Sequence, residues 1–240
     1  MKKMIAAMLL GMSLMVSVTG CGTESTESKT EQSSNDTQKA ETEKPASEKE
    51  EESTSSDVAP ISAFGYELTD DGNARITDYN AVNEYKEIVF PEEIDGYKVT
   101  ELGHVGTGSA SNTVAGVLSN DEKVEKVTIP DTVEVIGPSV FANCTNLKQV
   151  DFGNCVKEIQ EWAFLNTAIE EITLPDSLME LKYGAFTYCY SLESVTVGAS
   201  LVTIDINNFK LVNDNFTLKC PSGSAAETYA IENEINYVTE

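Results

Sequence analysis

The residues with the most reactive side chains in this 240-residue chain are five cysteines and a single histidine, His104. Cys21 stands near the amino terminus, and the other four cysteines are Cys144, Cys155, Cys189 and Cys220. No Cys-x-x-Cys pair occurs, and one histidine cannot complete a Cys/His zinc set. His104 lies in a Gly/Ser-rich stretch, and the chain contains no Gly-x-Ser-x-Gly nucleophile motif. We therefore expect no metal, no cofactor and no enzymatic activity.

Cys21 closes a segment with the features of a secretory signal. Residues 1–20 begin with a basic pair and continue through an apolar run over 4–18. That run of about 15 residues suits a signal peptide and is short for a spanning helix, although an uncleaved membrane anchor is the alternative. The sequence Val-Thr-Gly-Cys at 18–21 resembles the bacterial lipobox. The resemblance implies that Cys21 becomes the lipidated first residue of an extracytoplasmic protein anchored to the bacterial cell membrane.

Residues 21–59 are predicted to be the lipidated cysteine followed by a disordered acidic tether. They are rich in Glu, Ser, Thr and Lys and contain almost no large apolar side chain. Such a segment cannot bury enough surface to offset the entropy of ordering. Its expected role is reach; binding of a cation by the acidic residues is the alternative.

The charge of the chain bears on its partners. The formal net charge is −24, and residues 60–240 contain ten basic against twenty-nine acidic side chains. A surface this acidic is repelled by phosphate backbones. Nucleic acid is therefore not an expected partner.

One short phrase, apolar-x-x-apolar-x-apolar, recurs six times and organises the rest of the chain. It starts at Tyr85, Val124, Leu147, Ile169, Leu192 and, in degraded form, Asn213. The starts are 39, 23, 22, 23 and 21 residues apart, so the unit has about 22–23 residues and one enlarged member. This pattern and period are typical of a leucine-rich-repeat solenoid. The six first-phrase strands, stacked at about 4.8 Å, predict one parallel sheet about 24 Å across.

A second apolar phrase and an aromatic residue follow in a fixed register within each unit. Five residues after the second phrase comes a phenylalanine, at Phe141, Phe164, Phe186 and Phe209. A single unit cannot bury its apolar edge, whereas stacked units share one continuous core. The fold class predicted is a β-rich α/β solenoid over residues 85–219.

Both ends of the solenoid are predicted to be capped. Residues 60–84 contain alternating apolar residues on either side of an Asp-Asp-Gly-Asn turn, which indicates a β-hairpin. Residues 220–240 contain Ser224 as a helix N-cap, then a short helical segment and a final strand. The hairpin and this helix-strand cap would cover the open ends of the core.

Two recurring motifs carry a resemblance to a known family. Val-Thr-Ile-Pro-Asp at 127–131 returns as Ile-Thr-Leu-Pro-Asp at 172–176, and Val-Phe-Ala-Asn-Cys at 140–144 is echoed by Ala-Phe-Thr-Tyr-Cys at 185–189. Over about residues 64–240 the chain resembles the BspA-like leucine-rich-repeat proteins of bacterial surfaces. The resemblance implies recognition or adhesion at the cell surface, generally without catalysis, and it provides no fixed binding residues.

The enlarged first unit departs from the family pattern between residues 103 and 120. This insertion adds about 16 residues and lacks the repeat phenylalanine, since Thr107 stands at that offset. Long insertions are either functional or simply flexible. We expect Val117 and Leu118 to replace the missing phenylalanine in the core.

The residues between the apolar positions of the first phrase are predicted to face solvent, because side chains alternate along a strand. The candidate binding residues of this outward stripe are Lys126, Thr128, Gln149, Asp151, Glu171, Thr173, Ser194 and Thr196, with His104 added from the insertion. The stripe is polar and has no aromatic anchor. We expect a monomer that binds an extracellular protein or glycan through the stripe edged by the insertion. A structural spacer of the envelope without a ligand, or a repeat-fold enzyme, are the alternatives.

Cys144 and Cys189 share one register of the repeat but lie two units apart, or roughly 10 Å at sheet spacing. This separation exceeds the reach of a disulfide, so the downstream cysteines are predicted to be free thiols that pack as small apolar or weakly hydrogen-bonding groups.

Overall fold

The structure, a computed structural model, describes residues 58–104 and 116–240. The predicted signal peptide, Cys21, the tether up to residue 57 and residues 105–115 of the insertion lie outside the described residues. Within the described ranges, no helix has the length and apolar character needed to cross a membrane.

The described residues form short strands and one α-helix, joined by tight turns. A 3-10 turn, Ile61–Ala63, precedes the strands, and the helix α1 spans Ala225–Glu232. The strands in chain order are β1 (Phe64–Leu68), β2 (Ala74–Tyr79), β3 (Glu87–Val89), β4 (Glu93–Ile94), β5 (Tyr97–Leu102), β6 (Lys126–Thr128), β7 (Val135–Ile136), β8 (Gln149–Asp151), β9 (Glu158–Ile159), β10 (Glu171–Thr173), β11 (Glu180–Leu181), β12 (Ser194–Thr196), β13 (Thr203–Ile204), β14 (Thr217–Cys220) and β15 (Asn236–Thr239).

Each repeat unit is one coil of a solenoid, as the two apolar phrases predicted. The first phrase of a coil forms one strand, the second phrase forms another, and the phenylalanine follows in a tight turn. Strands of successive coils pair in parallel and in register, so that Val127 lies beside Val150 and Ile159 beside Leu181. The second-phrase strands form a continuous sheet in the order β1-β2-β5-β7-β9-β11-β13, with β4 paired to β5.

The first-phrase strands do not form the single sheet that the sequence predicted. In the described part of the chain they make two sheets, β3-β6-β8 and β10-β12-β14-β15, and no ladder joins β8 to β10. The turn from Phe164 to Ile169 is one residue shorter than the turn from Phe141 to Leu147. Turn length alone does not explain the break, because the turn from Phe209 to Asn213 is shorter still and β14 pairs in register with β12. Phe152, which follows β8 at a core position of the repeat, is only partly buried.

Phenylalanine rings run through the core as a row along the solenoid axis. Phe141 and Phe164 stack with centroids 5.0 Å apart, and Phe164 and Phe186 with centroids 5.1 Å apart. Phe209 extends the row, at 6.0 Å from Phe186. All four side chains are buried, which confirms the offset read from the sequence.

Leu118 takes the position of the missing phenylalanine in the enlarged coil. Its N–H donates to the carbonyl of Val140 at 2.9 Å, just as the N–H of Phe141 donates to Ala163 in the next coil at 2.8 Å. Leu118 is fully buried and Val117 nearly so. The prediction that these residues complete the core is confirmed.

Two positions that flank the phenylalanine turn have a left-handed backbone in successive coils. The first is occupied by Ser139, Trp162, Gly184 and Asn207, and the second by Asn120, Asn143, Asn166, Tyr188 and Leu211. The asparagines of the second position form a ladder. Asn143 Nδ2 donates to Asn120 Oδ1 at 3.1 Å, and Asn166 Nδ2 donates to Asn143 Oδ1 at 3.0 Å. Asparagine suits these sites because its side chain tolerates the left-handed region.

The predicted caps are present at both ends. Strands β1 and β2 form an antiparallel hairpin, and β2 then pairs in parallel with β5 of the first coil. At the other end the Ser224 hydroxyl accepts a hydrogen bond from the N–H of Glu227 and caps α1. Tyr229 of α1 meets Phe209 edge-on, with centroids 6.1 Å apart, and closes the aromatic row.

The four cysteines of the described residues are free thiols. The Cys144 thiol donates to the Leu118 carbonyl, and the Cys189 thiol to the Phe164 carbonyl, each at 3.0 Å. Both are buried, as is Cys220, while Cys155 is exposed. Cys144 and Cys189 therefore occupy the same position in two different coils. As expected, each provides a buried hydrogen-bonding group.

Candidate functional site

The outward stripe is divided by the break between β8 and β10. Lys126 lies beside Gln149, and Thr128 beside Asp151, on β6 and β8. Glu171 lies beside Ser194, and Thr173 beside Thr196, on β10 and β12. The structure brings the predicted residues together within each half, but no strand pairing continues the stripe across the break in the described residues.

The first half of the stripe is an internal charge network. Lys126 Nζ lies 3.0 Å from Asp151 Oδ2 and 3.4 Å from Glu87 Oε1. Gln149 Nε2 donates to Asp151 Oδ1 at 2.8 Å. The hydrogen bond to Asp151 raises the pKa of Lys126, and the hydrogen bonds from Gln149 and Lys126 lower the pKa of Asp151. Lys126 is thus engaged by two carboxylates of its own chain, and a ligand must compete with them.

The second half of the stripe is less exposed than predicted. Glu171 and Thr173 are exposed and Thr196 is half-buried, but Ser194 is only 6% exposed. Ser194 therefore lacks the solvent exposure expected of the outward stripe, and its role in binding stays a prediction. Ser194 has a short side chain, and its ladder neighbours Glu171 and Thr217 flank it on both sides.

His104 is placed apart from the stripe. It follows Leu102 and Gly103 at the end of β5, which pairs with β2 and β7 in the continuous second-phrase sheet. The stripe strands belong to the two first-phrase sheets, which share no ladder with β5 in the described ranges. His104 therefore belongs to a different sheet from Lys126. Residues 105–115 lie outside the described residues, so the composite site of the insertion and the stripe stays a prediction.

A second candidate surface lies on the phenylalanine turns of the later coils. We call it the turn surface; its side chains are apolar and at least partly accessible, and they are Trp162, Tyr183, Tyr188, Tyr190, Ile206 and Leu211. Tyr190 is 60% exposed and Ile206 65%. The sequence alone gave no reason to join these six side chains into one surface. That reason is the coil-to-coil register, which only the structure provides.

Hydrogen bonds and ring contacts join the residues of the turn surface in two groups, one around Trp162 and Tyr183 and one around Tyr188 and Tyr190. The Trp162 ring meets the Tyr183 ring edge-on, with centroids 5.8 Å apart. The backbone N–H of Trp162 donates to the backbone carbonyl of Tyr183. Asn207 Nδ2 donates to the Tyr183 hydroxyl at 2.9 Å. Tyr188 and Tyr190 lie 6.1 Å apart, and the Tyr188 N–H donates to the Lys210 carbonyl beside Leu211. The surface is therefore presented by paired backbone of neighbouring coils.

Three of these residues have an unfavourable backbone conformation. Trp162, Tyr188 and Leu211 have φ values of 56°, 63° and 59°. For a residue with a bulky side chain this region costs about 1–2 kcal/mol more than a right-handed conformation. The equivalent sites of the other coils have Ser, Asn or Gly, so the strain is specific to the coils that carry the turn surface.

Metal binding has no visible centre in the described part of the chain. No group of three or more His, Cys, Asp or Glu side chains there has an arrangement that could hold an ion.

Solved structures with a similar fold are bacterial leucine-rich-repeat proteins. A leucine-rich-repeat protein of T. pallidum superposes with a TM-score of 0.59 and 25% identity, over 67% of this chain and 70% of that one. A leucine-rich-repeat protein from Eubacterium ventriosum has a TM-score of 0.46 and 22% identity, over 67% of this chain and 42% of that one. The pneumococcal vaccine antigen PcpA has a TM-score of 0.47 and 21% identity, over 67% of this chain and 49% of that one.

Comparison by sequence gives one family. No curated protein matches the chain at a significant level. The family model for the BspA type leucine rich repeat region matches six copies over residues 115–236, about half of the chain. These copies run from the end of the enlarged coil through the later coils and α1 to the first residue of β15. The chain therefore belongs to the BspA type leucine-rich-repeat family.

Proposed function

We propose that this protein is a lipid-anchored recognition module of the bacterial cell surface that binds an extracellular protein or glycan. Membership of the BspA type family supports a role in contact with other molecules. The lipobox-like sequence that ends at Cys21 supports attachment to the membrane by a lipid. The acidic tether after it supports a solenoid held away from that membrane.

The observation that carries the proposal is the set of apolar side chains left on the surface of the solenoid. The phenylalanine row and the apolar phrases already fill the core, so the exposed Tyr190, Ile206 and Leu211 do not serve it. Grouped apolar residues on a soluble surface generally mark contacts with another molecule. A spacer without a ligand has no need of them.

The test is saturable binding by the protein in its natural setting. Bacteria displaying the full-length chain are incubated with increasing amounts of labelled protein and glycan fractions from host-cell surfaces and bacterial envelopes. The control strain displays the same lipoprotein without residues 60–240. Binding that saturates only on the full-length strain is the expected result. Uptake that is linear and equal on both strains for every fraction would show that the protein is a spacer.

A further inference from the structure

We infer that β15 pairs edge to edge with β15 of a second copy of this chain, so that two solenoids join at their carboxyl-terminal ends. This interaction surface is a sheet edge, separate from the outward stripe and from the turn surface. The inference goes beyond the proposed function, because the pairing does not require a ligand. It puts a symmetric dimer in place of the monomer expected from the sequence.

The free side of β15 has backbone groups that face no other strand. β15 is the last strand of the sheet β10-β12-β14-β15. The N–H of Glu240 donates to the Cys220 carbonyl, and this bond fixes the alternation of the parallel ladder, so that both backbone groups of Val238 face β14. The N–H and C=O groups of Tyr237 and Thr239 therefore point away from β14. No strand of the described residues pairs with this side of β15.

Two other sheet edges of the described solenoid carry a device that blocks pairing, whereas β15 does not. The edge of β3 is bridged by Val58 at Glu87, and β1 has a bulge between Gly65 and Tyr66 and an exposed charge at Glu67. Covering segments, bulges and charges are the means by which proteins keep strand edges from pairing. β15 has the sequence Asn-Tyr-Val-Thr, which is uncharged and favours strands, and all four residues are exposed.

The edge of β15 is complementary to itself in one antiparallel register. When Val238 lies opposite its counterpart in the second copy, Tyr237 of each copy lies opposite Thr239 of the other. These pairs use every outward N–H and C=O group of both strands. They also place an aromatic side chain beside a β-branched one, and the two valines beside each other, which stabilises antiparallel strands. A register centred on Tyr237 or Thr239 pairs fewer of the backbone groups.

Charge allows a second copy as the occupant of this edge, although the folded part of the chain is acidic. Like charges directly opposite each other destabilise a strand pair. In the register centred on Val238, Glu240 lies opposite the uncharged Asn236, and Glu234 falls beyond the paired residues. Lys219 is the ladder neighbour of Val238 on β14, so that a lysine of each copy flanks the centre of the joined sheet. The pairing therefore sets no two carboxylates opposite each other.

The short edge makes the pairing weak in dilute solution. Two four-residue strands form a small contact beside the interfaces of about 1,200–2,000 Å² that hold stable complexes. Attachment of both copies to one membrane, as proposed above, raises their effective concentration to the order of millimolar. The dimer on the cell surface therefore rests on the proposed anchor, whereas the pairing itself can be measured with concentrated purified protein.

The test is a disulfide at the twofold axis of the proposed pair. Full-length Cys155→Ser, which lacks the exposed native thiol, is displayed on bacteria with Val238→Cys added. Residues directly opposite in an antiparallel pair have Cβ atoms about 4.5–5.5 Å apart, so copper phenanthroline should oxidise two such chains to a disulfide-linked dimer. Asn236→Cys is the matched control on the same strand and face. Its counterpart lies about 13 Å away along the strands, and its dimer should be at least about tenfold less abundant.

Two further variants separate pairing between copies from stability within one copy. Thr239→Pro removes an outward N–H and keeps the bonds of β15 to β14. Val238→Glu sets two carboxylates opposite each other at the axis, beside Lys219 of the same chain. Each should lower the dimer association constant by about tenfold or more in sedimentation equilibrium of the concentrated full chain in detergent. The urea midpoint should stay unchanged, and Thr173→Ala should alter neither quantity.

Four outcomes would overturn the inference. Absence of the Val238→Cys disulfide both on cells and in concentrated protein would show that β15 does not meet a second copy. Equal cross-linking of Asn236→Cys would show random collision, and an unchanged association constant for Thr239→Pro would place the contact elsewhere. A disulfide from Val238→Cys to a chain of different mass would replace the second copy by another protein. None of these outcomes bears on saturable ligand binding, so the proposed function is judged separately.

Discussion

Cys144 and Cys189 occupy one position of the repeat, and each thiol donates to a backbone carbonyl of the preceding coil. At this site the side chain supplies a hydrogen-bond donor to a buried carbonyl. Thr167 occupies the equivalent position in the coil between them and lies 3.3 Å from the Cys189 sulfur. Burial raises the pKa of the Cys144 thiol from its ordinary 9.0 to about 12 and also raises that of Cys189. These cysteines therefore act as buried hydrogen-bonding groups and are poor nucleophiles.

The thiols give a prediction about reactivity and pH. In the folded protein, iodoacetamide at about pH 8 should modify Cys155 alone among the four downstream cysteines, because alkylation requires an accessible thiolate. Cys144, Cys189 and Cys220 should react only after unfolding. Because the pKa of the Cys144 thiol is higher in the folded than in the unfolded chain, the unfolded chain loses this proton first as the pH rises. The contribution of this thiol to the free energy of unfolding is therefore fully present below pH 9 and is lost as the pH rises towards 12. Cys144→Ser should therefore show a shallower fall in the free energy of unfolding above pH 9 than the parent chain.

Peptide mapping by mass spectrometry measures the first part, and urea titrations over a pH series measure the second. Rapid native labelling of Cys144, or a disulfide between Cys144 and Cys189, would contradict the placement of these residues.

At the scale of the element, the coil depends on the phenylalanine turn more than on its strands. The strands are two to four residues long in the central coils, and the ring row of Phe141, Phe164 and Phe186 runs without a gap past the break in the first-phrase sheets. The row and the continuous second-phrase sheet therefore join the two halves of the described solenoid. The first-phrase strands form hydrogen-bonded ladders within each half only and therefore stabilise the two halves separately.

The central ring of the row should be among the most sensitive positions. Phe164→Ala removes a fully buried side chain with coils on both sides and should cost about 3–5 kcal/mol of unfolding free energy. Thr173→Ala, on exposed β10, should change it by no more than about 0.5 kcal/mol. Urea denaturation followed by circular dichroism measures both. Similar midpoints for the two variants would mean that the ring row is not the core.

The break itself predicts a local loss of protection from hydrogen exchange. In unbroken pairs the N–H of Gln149 donates to Glu125, and the N–H of Leu174 donates to Thr196. Since β8 and β10 share no ladder in the described residues, the equivalent amides of Glu171 and Phe152 should exchange faster than these two. Exchange followed by NMR at neutral pH compares them within one sample. Equal protection at all four amides would show that the sheet is continuous in solution.

Most of the strands and turns could be predicted from the sequence, because the apolar residues that recur with the period of the repeat are the residues that fill the core. The offset from Ile159 to Phe164 predicted buried rings, and the apolar Leu118 was expected in the core of the enlarged coil. The break was not predicted, because the same apolar phrase starts at Leu147 and at Ile169 and a template of apolar positions does not contain the pairing of one coil with the next. The turn surface was missed for a related reason: Tyr183 and Ile206, and likewise Tyr188 and Leu211, become neighbours only through stacking.

At the scale of the whole molecule, the sequence assigns different tasks to different segments. Residues 1–20 are proposed to direct export, residues 21–59 to attach and extend, and the coils to make contacts with a partner. The family comparison covers residues 115–236 and so speaks to the coils alone. The proposed attachment depends on one sulfur atom, that of Cys21.

Replacement of that atom is a direct test of the proposed anchor. Cys21→Ala should abolish lipid attachment, since a thioether cannot form, and leave an uncleaved precursor or protein shed into the medium. Metabolic labelling with a radioactive fatty acid measures attachment, and Cys155→Ala provides the matched control that keeps its label. Incorporation of the fatty acid into the Cys21→Ala chain would exclude this residue as the anchor.

The break between β8 and β10 also decides how the solenoid bears load. If the protein is anchored and bound as proposed, it is pulled between its amino-terminal end and its partner, and all of the turn surface except Trp162 lies in coils beyond the break. Tension then crosses between the coil of β10 and the coil of β8 on its way to the tether. On the first-phrase side of the described residues no ladder carries it, so it passes through the second-phrase sheet, the backbone hydrogen bonds of the phenylalanine turns and the ring contact of Phe164 with Phe186. The coils after Leu211 lie outside this line of force and keep the carboxyl-terminal cap at rest while the front of the molecule is under strain.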